Sequence, residues 1–148
     1  MKTARDPRHQ ARRLAAGRIY SKICPKDSSN LYSSSEEDLI STLKETLEIE
    51  NYDQYLFESI TGSVFASMEN LKAQINRNSR DWSIDKMYKM DLAVLLMAVS
   101  ELNRAQTPQK VIIDEAVELA KEFCEQDSPK FINGILAGVT KENESAKS

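Results

Sequence analysis

Arg8, Arg12, Arg13 and Arg18 crowd into eleven residues near the start of the chain, and Tyr20 follows them closely. Guanidinium forks match the oxygen geometry of a phosphate, and an aromatic ring offers a face on which a base can stack. The chemistry suggested is recognition of a polyanion, not the making or breaking of bonds. Residues 1–26 hold eight cations against the single acid Asp6, a local balance of +7. The net charge of the chain is −3, so the remainder carries −10. A basic opening on an acidic body steers one face toward a polyanion and repels it elsewhere. Arginines that merely solvate a helix are usually interleaved with acids for i,i+4 pairing, which this stretch lacks. They are therefore expected to be exposed, Arg8 and Arg12 in particular.

Other chemistries find little support. The four glycines, at 17, 62, 134 and 138, form neither G-x-G-x-x-G nor a phosphate loop. His9 is the only histidine, so a two-histidine zinc site is excluded. Cys24 and Cys124 are the only cysteines, and both read as inert reduced thiols. No catalytic residue, metal or cofactor is expected. Gly134 and Gly138 are spaced for close helix packing, and Trp82 is expected to close one end of the core.

The elements that must position these residues are helices. Asp6-Pro7 starts the first, which Ala11, Ala15, Ile19 and Ile23 continue until Pro25. Lys26 to Ser35 reads as a loop, and Ser35 with Asp38 resembles a capping box ahead of Leu39, Leu43 and Leu47. One long helix is predicted from Tyr52-Asp53 to Ile75, and Asn76 to Arg80 ends it. From Trp82 to Arg104 apolar residues lie nearly all round, as in a central buried helix that Tyr88 to Asp91 could divide. Thr107-Pro108 and Asp127-Ser128-Pro129 open the last two helices. A polar tail from Glu142 to Ser148 is expected to fray. The prediction is a single all-α domain over 1–148, a compact bundle of six or seven helices. Its longest apolar run, Leu92 to Val99, is far below the ~20 residues of a membrane span. The basic start has no apolar signal-like core, so a cytoplasmic protein without membrane contact is expected.

With the helices placed, three segments stand out: Arg8-His9-Gln10-Ala11-Arg12 with Ile19-Tyr20-Ser21; Trp82 to Met87 with Asp91 to Leu95 and Ser100-Glu101-Leu102; and Pro108 to Lys121 followed by Asp127 to Leu136. Together they resemble the NusB family of transcription antitermination factors. The resemblance spans nearly the whole chain. It implies a NusB-like fold and an RNA-binding adaptor that pairs with NusE, a small-subunit ribosomal protein. The pair would hold boxA-type RNA of nascent transcripts, notably ribosomal RNA, tethered to the RNA polymerase elongation complex. Carried residue by residue, it places Arg8, Arg12 and Tyr20 on the RNA, together with Asp127, Lys130 and Phe131. Arg13 and Arg18 join this set through the basic helix. Trp82, Lys86, Asp91 and Glu101 fall in the region that would face NusE.

Three departures stand out: Leu96 replaces a frequent arginine, Ala137 replaces a common acid, and the Lys26 to Ser35 loop is long and serine-rich. Asp127 has an alternative reading as a helix N-cap, and Asn133 one as a hydrogen bond within the helical packing. Two other functions stay open. One is an interaction module or homodimer whose RNA face is masked. The other is a free-standing relative of the RNA-binding domain of RNA cytosine methyltransferases; the enzyme itself needs a following methyl-donor domain, so the chain's length is expected to count against that activity.

Overall fold

The computed structural model describes residues 6–24, 35–80 and 82–147. Among them lie seven α-helices and no strand: α1 (Pro7–Ile23), α2 (Glu36–Thr46), α3 (Gln54–Ala66), α4 (Met68–Arg77), α5 (Lys89–Arg104), α6 (Gln109–Phe123) and α7 (Ser128–Ala146), with a short 3-10 turn at Ile84–Lys86. Local chemistry sets several starts. Asp6 accepts a hydrogen bond from the Arg8 N–H at 2.9 Å, and Pro7 fixes the first turn of α1. Ser35 Oγ accepts from the Asp38 N–H at 3.2 Å, and Asp53 from the Leu56 N–H at 2.9 Å. The Lys26 to Ser35 loop, Ser35 apart, lies outside the described residues.

The core is organised around α5. Every residue from Asp91 to Leu102 is buried, and the helix packs against α1, α3, α4, α6 and α7. It ends at Ala105, whose φ of 55° lies in the left-handed region that glycine more often occupies.

Three expectations are corrected. The long helix of residues 53–75 is two helices, broken at Ser67, where φ is −123° and ψ 21°. The apolar period runs through the break because α3 and α4 both direct their apolar faces onto α5. Trp82 does not close the core; it is 52% exposed. The polar tail is helical as far as Ala146. Its side chains hold it: Arg77 Nη2 lies 2.6 Å from Glu142 Oε1, and Asn78 Nδ2 donates to Glu142 Oε2 at 2.7 Å. Behind them Gln74, Asn143 and Asn103 close a ring in which each amide donates to the next, at 2.9 to 3.1 Å. That ring links α4, α5 and α7.

Candidate nucleic-acid interface

The first-helix arginines are largely committed to the bundle. Arg12 is buried, and its fork grips Glu101 through Nε at 3.1 Å and Nη2 at 2.9 Å, with Glu115 Oε1 at 3.8 Å. The expectation of an exposed Arg12 is overturned. Burial pulls its pKa down, but the Glu101 hydrogen bonds and the charges of Glu101, Glu115 and Asp6 outweigh this, and the net shift is upward. The guanidinium stays charged inside the protein. His9 Nδ1 lies 2.8 Å from Glu115 Oε2. Arg13 spends four of its five N–H donors: on Glu122 at 2.7 to 3.1 Å, on Gln10 at 2.7 Å and on the Leu47 carbonyl at 2.9 Å. Arg18 lies over the Phe65 ring at 5.1 Å and donates to Glu36 at 3.3 Å. Arg8 and Tyr20 alone of the five residues are exposed. The Cys24 thiol, hydrogen-bonded to the Tyr20 phenol, pushes its pKa up, so the ring remains neutral.

The acidic partners explain why the sequence appeared to leave these arginines unpaired. They come from α2, α5 and α6, between 18 and 109 residues away. Glu101, expected to face a partner protein, is therefore an interior counter-charge. Asp91 is buried too: Ser128 Oγ donates to its two oxygens at 2.9 and 3.0 Å, tying the start of α5 to the start of α7. Neither acid is open to a partner in this conformation. Asp91 also receives the Cys124 thiol, whose pKa is pushed up to about 12, by burial first and then by this carboxylate. The thiol is thus protonated and unreactive.

A different set of candidates does converge. A cleft of about 510 Å³ between the 3-10 turn and the start of α7 is lined by Trp82, Lys86, Tyr88, Asp127 and Phe131. Residues expected to face NusE and residues expected to face RNA therefore share one groove. Trp82 is 52% and Tyr88 66% exposed. Sequence reasoning passed over Tyr88; its signal was an aromatic immediately outside the buried run. Asp127 occupies the N-cap position of α7 without using its side chain as a cap, so that structural reading fails. Its carboxylate is exposed, as are Lys130 and Asn133, the latter outside the helical packing.

The two sets do not merge. Arg12 pairs with Glu101, ten residues along α5 from the Asp91 tie, which separates the buried pair from the groove by about 15 Å at 1.5 Å per residue. Gly138 packs as expected: an added Cβ would meet Asn78 Oδ1 at 2.6 Å, whereas one at Gly134 would meet nothing within 4 Å. Among the described residues no group of three or more His, Cys, Asp or Glu side chains could hold a metal ion, and no helix is long and apolar enough to cross a membrane.

The NusB family model matches residues 9–141. The transcription antitermination protein NusB of Acetivibrio thermocellus is 36% identical over 135 residues, 90% of this chain and 88% of its own length. That of Sulfurovum sp. is 31% identical over 137 residues, 90% of this chain and 98% of its own. In structure, T. maritima NusB superposes with a TM-score of 0.67 at 26% identity, covering 100% of both chains. A chain from a crystal structure of the antitermination factors NusB and NusE in complex with dsRNA shares the fold, with a TM-score of 0.70 at 21% identity over 90% of this chain and 96% of that one. A match over most of the chain, joined to relatives above 30% identity, means that this protein belongs to the NusB family of transcription antitermination proteins.

Proposed function

We propose that the groove between Trp82, Tyr88 and Phe131 takes unstacked bases of boxA-type single-stranded RNA, and that the protein is an adaptor which, with NusE, keeps RNA polymerase processive. The observation that carries this reading is the gathering of two exposed aromatics, half-buried Phe131 and the exposed Lys86 around one cleft, with the exposed Lys130 on the groove that adjoins it. Aromatic faces suit splayed single-stranded bases, because the grooves of a duplex keep its bases stacked. Lys86 and Lys130 supply charge for the backbone, and Asp127 accepts hydrogen bonds from base edges. Arg8 and Tyr20 form an outlying contact on α1. Arg12, Arg13 and Arg18 hold that helix in place rather than touching RNA. Trp82 and Lys86 also fall in the region that the family resemblance turns toward NusE, so RNA and partner meet at one rim and bind cooperatively. Asp91 supports this surface from inside through Ser128, and Glu101 anchors α1 through Arg12. The protein itself makes and breaks no bond, and the role places it in the cytoplasm beside the transcribing polymerase.

Titration of a fluorescent boxA-like RNA with the protein alone, then with NusE present, tests this. The expected result is a large gain in affinity with NusE and a log affinity falling against log salt by roughly 0.7 per phosphate contacted. Equal affinity for the wild type and the Phe131→Ala variant, with no gain from NusE, would overturn the reading.

A further inference from the structure

A second groove adjoins the first and extends past Lys130 to residues that the RNA core does not use. It has a volume of about 680 Å³ and runs along α7 from Asp127 and Phe131, which it shares with the first groove, toward Lys141. Arg77, Arg80, Lys130 and Lys141 line it, against Asp127 as the one acid among the described lining residues. Arg80, Lys130 and Lys141 are exposed and make no ion pair among the described residues, in contrast to Arg12, Arg13 and Arg18 of α1. Glu142, the nearest acid along α7 from Lys141, is held by Arg77 and Asn78. Its charge is thus already countered.

The groove is also preorganised. Asn78 Nδ2 donates to the Gln74 carbonyl at 2.9 Å as well as to Glu142, and Ser79 Oγ donates to the Trp82 carbonyl. The Ile84 N–H donates to Asn76 Oδ1 at 3.3 Å. These bonds pin the segment that carries Arg80 to α4 at one end and to the turn of the first groove at the other. Gly134 leaves part of the α7 face without a side chain, so a backbone can approach there.

We infer that this groove carries the phosphodiester backbone of RNA that flanks the segment held in the first groove. The inference rests on the RNA reading above and extends it: aromatic rings hold the core of the site, and a row of cations tracks the flank without reading its sequence. The ligand is a single-stranded phosphodiester backbone continuous with the bound core, not a free nucleotide, because the groove offers charge but no exposed aromatic of its own.

The test compares three labelled RNAs by fluorescence anisotropy: a boxA-like core, and the same core lengthened by about six nucleotides at one end or at the other, within the site sizes of single-strand binders. Wild-type protein is expected to bind one of the lengthened RNAs several-fold more tightly than the core. The Arg80→Gln, Lys141→Gln double variant, altered only at exposed positions, is expected to lose that gain, keep its affinity for the core, and show a salt slope shallower by about 1.4 on the long RNA. Ala137→Asp, which puts a carboxylate on the same wall, should act in the same direction. No gain on lengthening at either end, or an equal loss on core and long RNA in the double variant, overturns the proposal while the first groove stands. Failure of wild-type protein to bind either RNA overturns both.

Discussion

Arg12 gives the sharpest separation between scaffold and binding face. Its side chain and those of Glu101 and Glu115 are 3 to 5% exposed, so truncation at Arg12 strands carboxylates inside the bundle. Breaking a buried pair in this way costs about 3–5 kcal/mol, a large part of a total stability of roughly 5–15 kcal/mol. At about 2–4 °C per kcal/mol for a chain of this size, Arg12→Leu should lower the melting temperature by roughly 6–20 °C. Replacing both partners is a different perturbation. Arg12→Leu combined with Glu101→Leu should recover much of the loss, because an apolar pair of similar volume is often neutral against a buried ion pair. Urea unfolding followed by circular dichroism measures the stability, and RNA titration below the unfolding midpoint measures binding. The folded fraction of Arg12→Leu should keep near-normal RNA affinity. An unchanged unfolding midpoint with a many-fold loss of RNA binding would refute the reasoning, since it would make Arg12 a direct contact.

Gly138→Ala should destabilise by about 1–3 kcal/mol, because the new Cβ must displace Asn78 from 2.6 Å, while Gly134→Ala should stabilise by about 0.5–1 kcal/mol through helix propensity alone. Thermal melts of the two variants, moving in opposite directions, check this. Glu142 has its pKa lowered, chiefly by the Arg77 hydrogen bond and then by Asn78. A carboxylate depressed in the folded state stabilises above its unfolded value, and that contribution is lost as pH falls through the folded one. The end of α7 should therefore loosen only when the pH drops below the ordinary carboxylate range, with Arg77→Gln shifting the loss to higher pH, as amide exchange over residues 140–146 would report.

Helix starts were legible because they are local events: Asp6-Pro7, Ser35, Pro108 and Pro129 each act on their own turn. The break at Ser67 and the helical end of α7 were not, since one is hidden by two helices sharing a neighbour and the other is set by contacts with α4 and α5. Half of the candidate site was legible in the same sense. Asp127, Lys130 and Phe131 sit on the grooves, and the resemblance pointed to them. The arginines of α1 were misjudged because their acids lie on other helices. A signal for this was present: Glu101 ends an otherwise apolar run, and Glu115 stands between Ile112 and Ala116. Acids on buried faces require a buried cation, and α1 holds the densest supply.

The most direct measurement of the central claim is NMR mapping of labelled protein titrated with boxA-like RNA. The account requires the largest shifts at the Trp82 indole, Tyr88, Lys130 and Phe131, with smaller ones at Arg8 and Tyr20 and little change at the Arg12 and Arg13 side chains. Shifts concentrated on Arg12 and Arg13, with the groove unmoved, would contradict it.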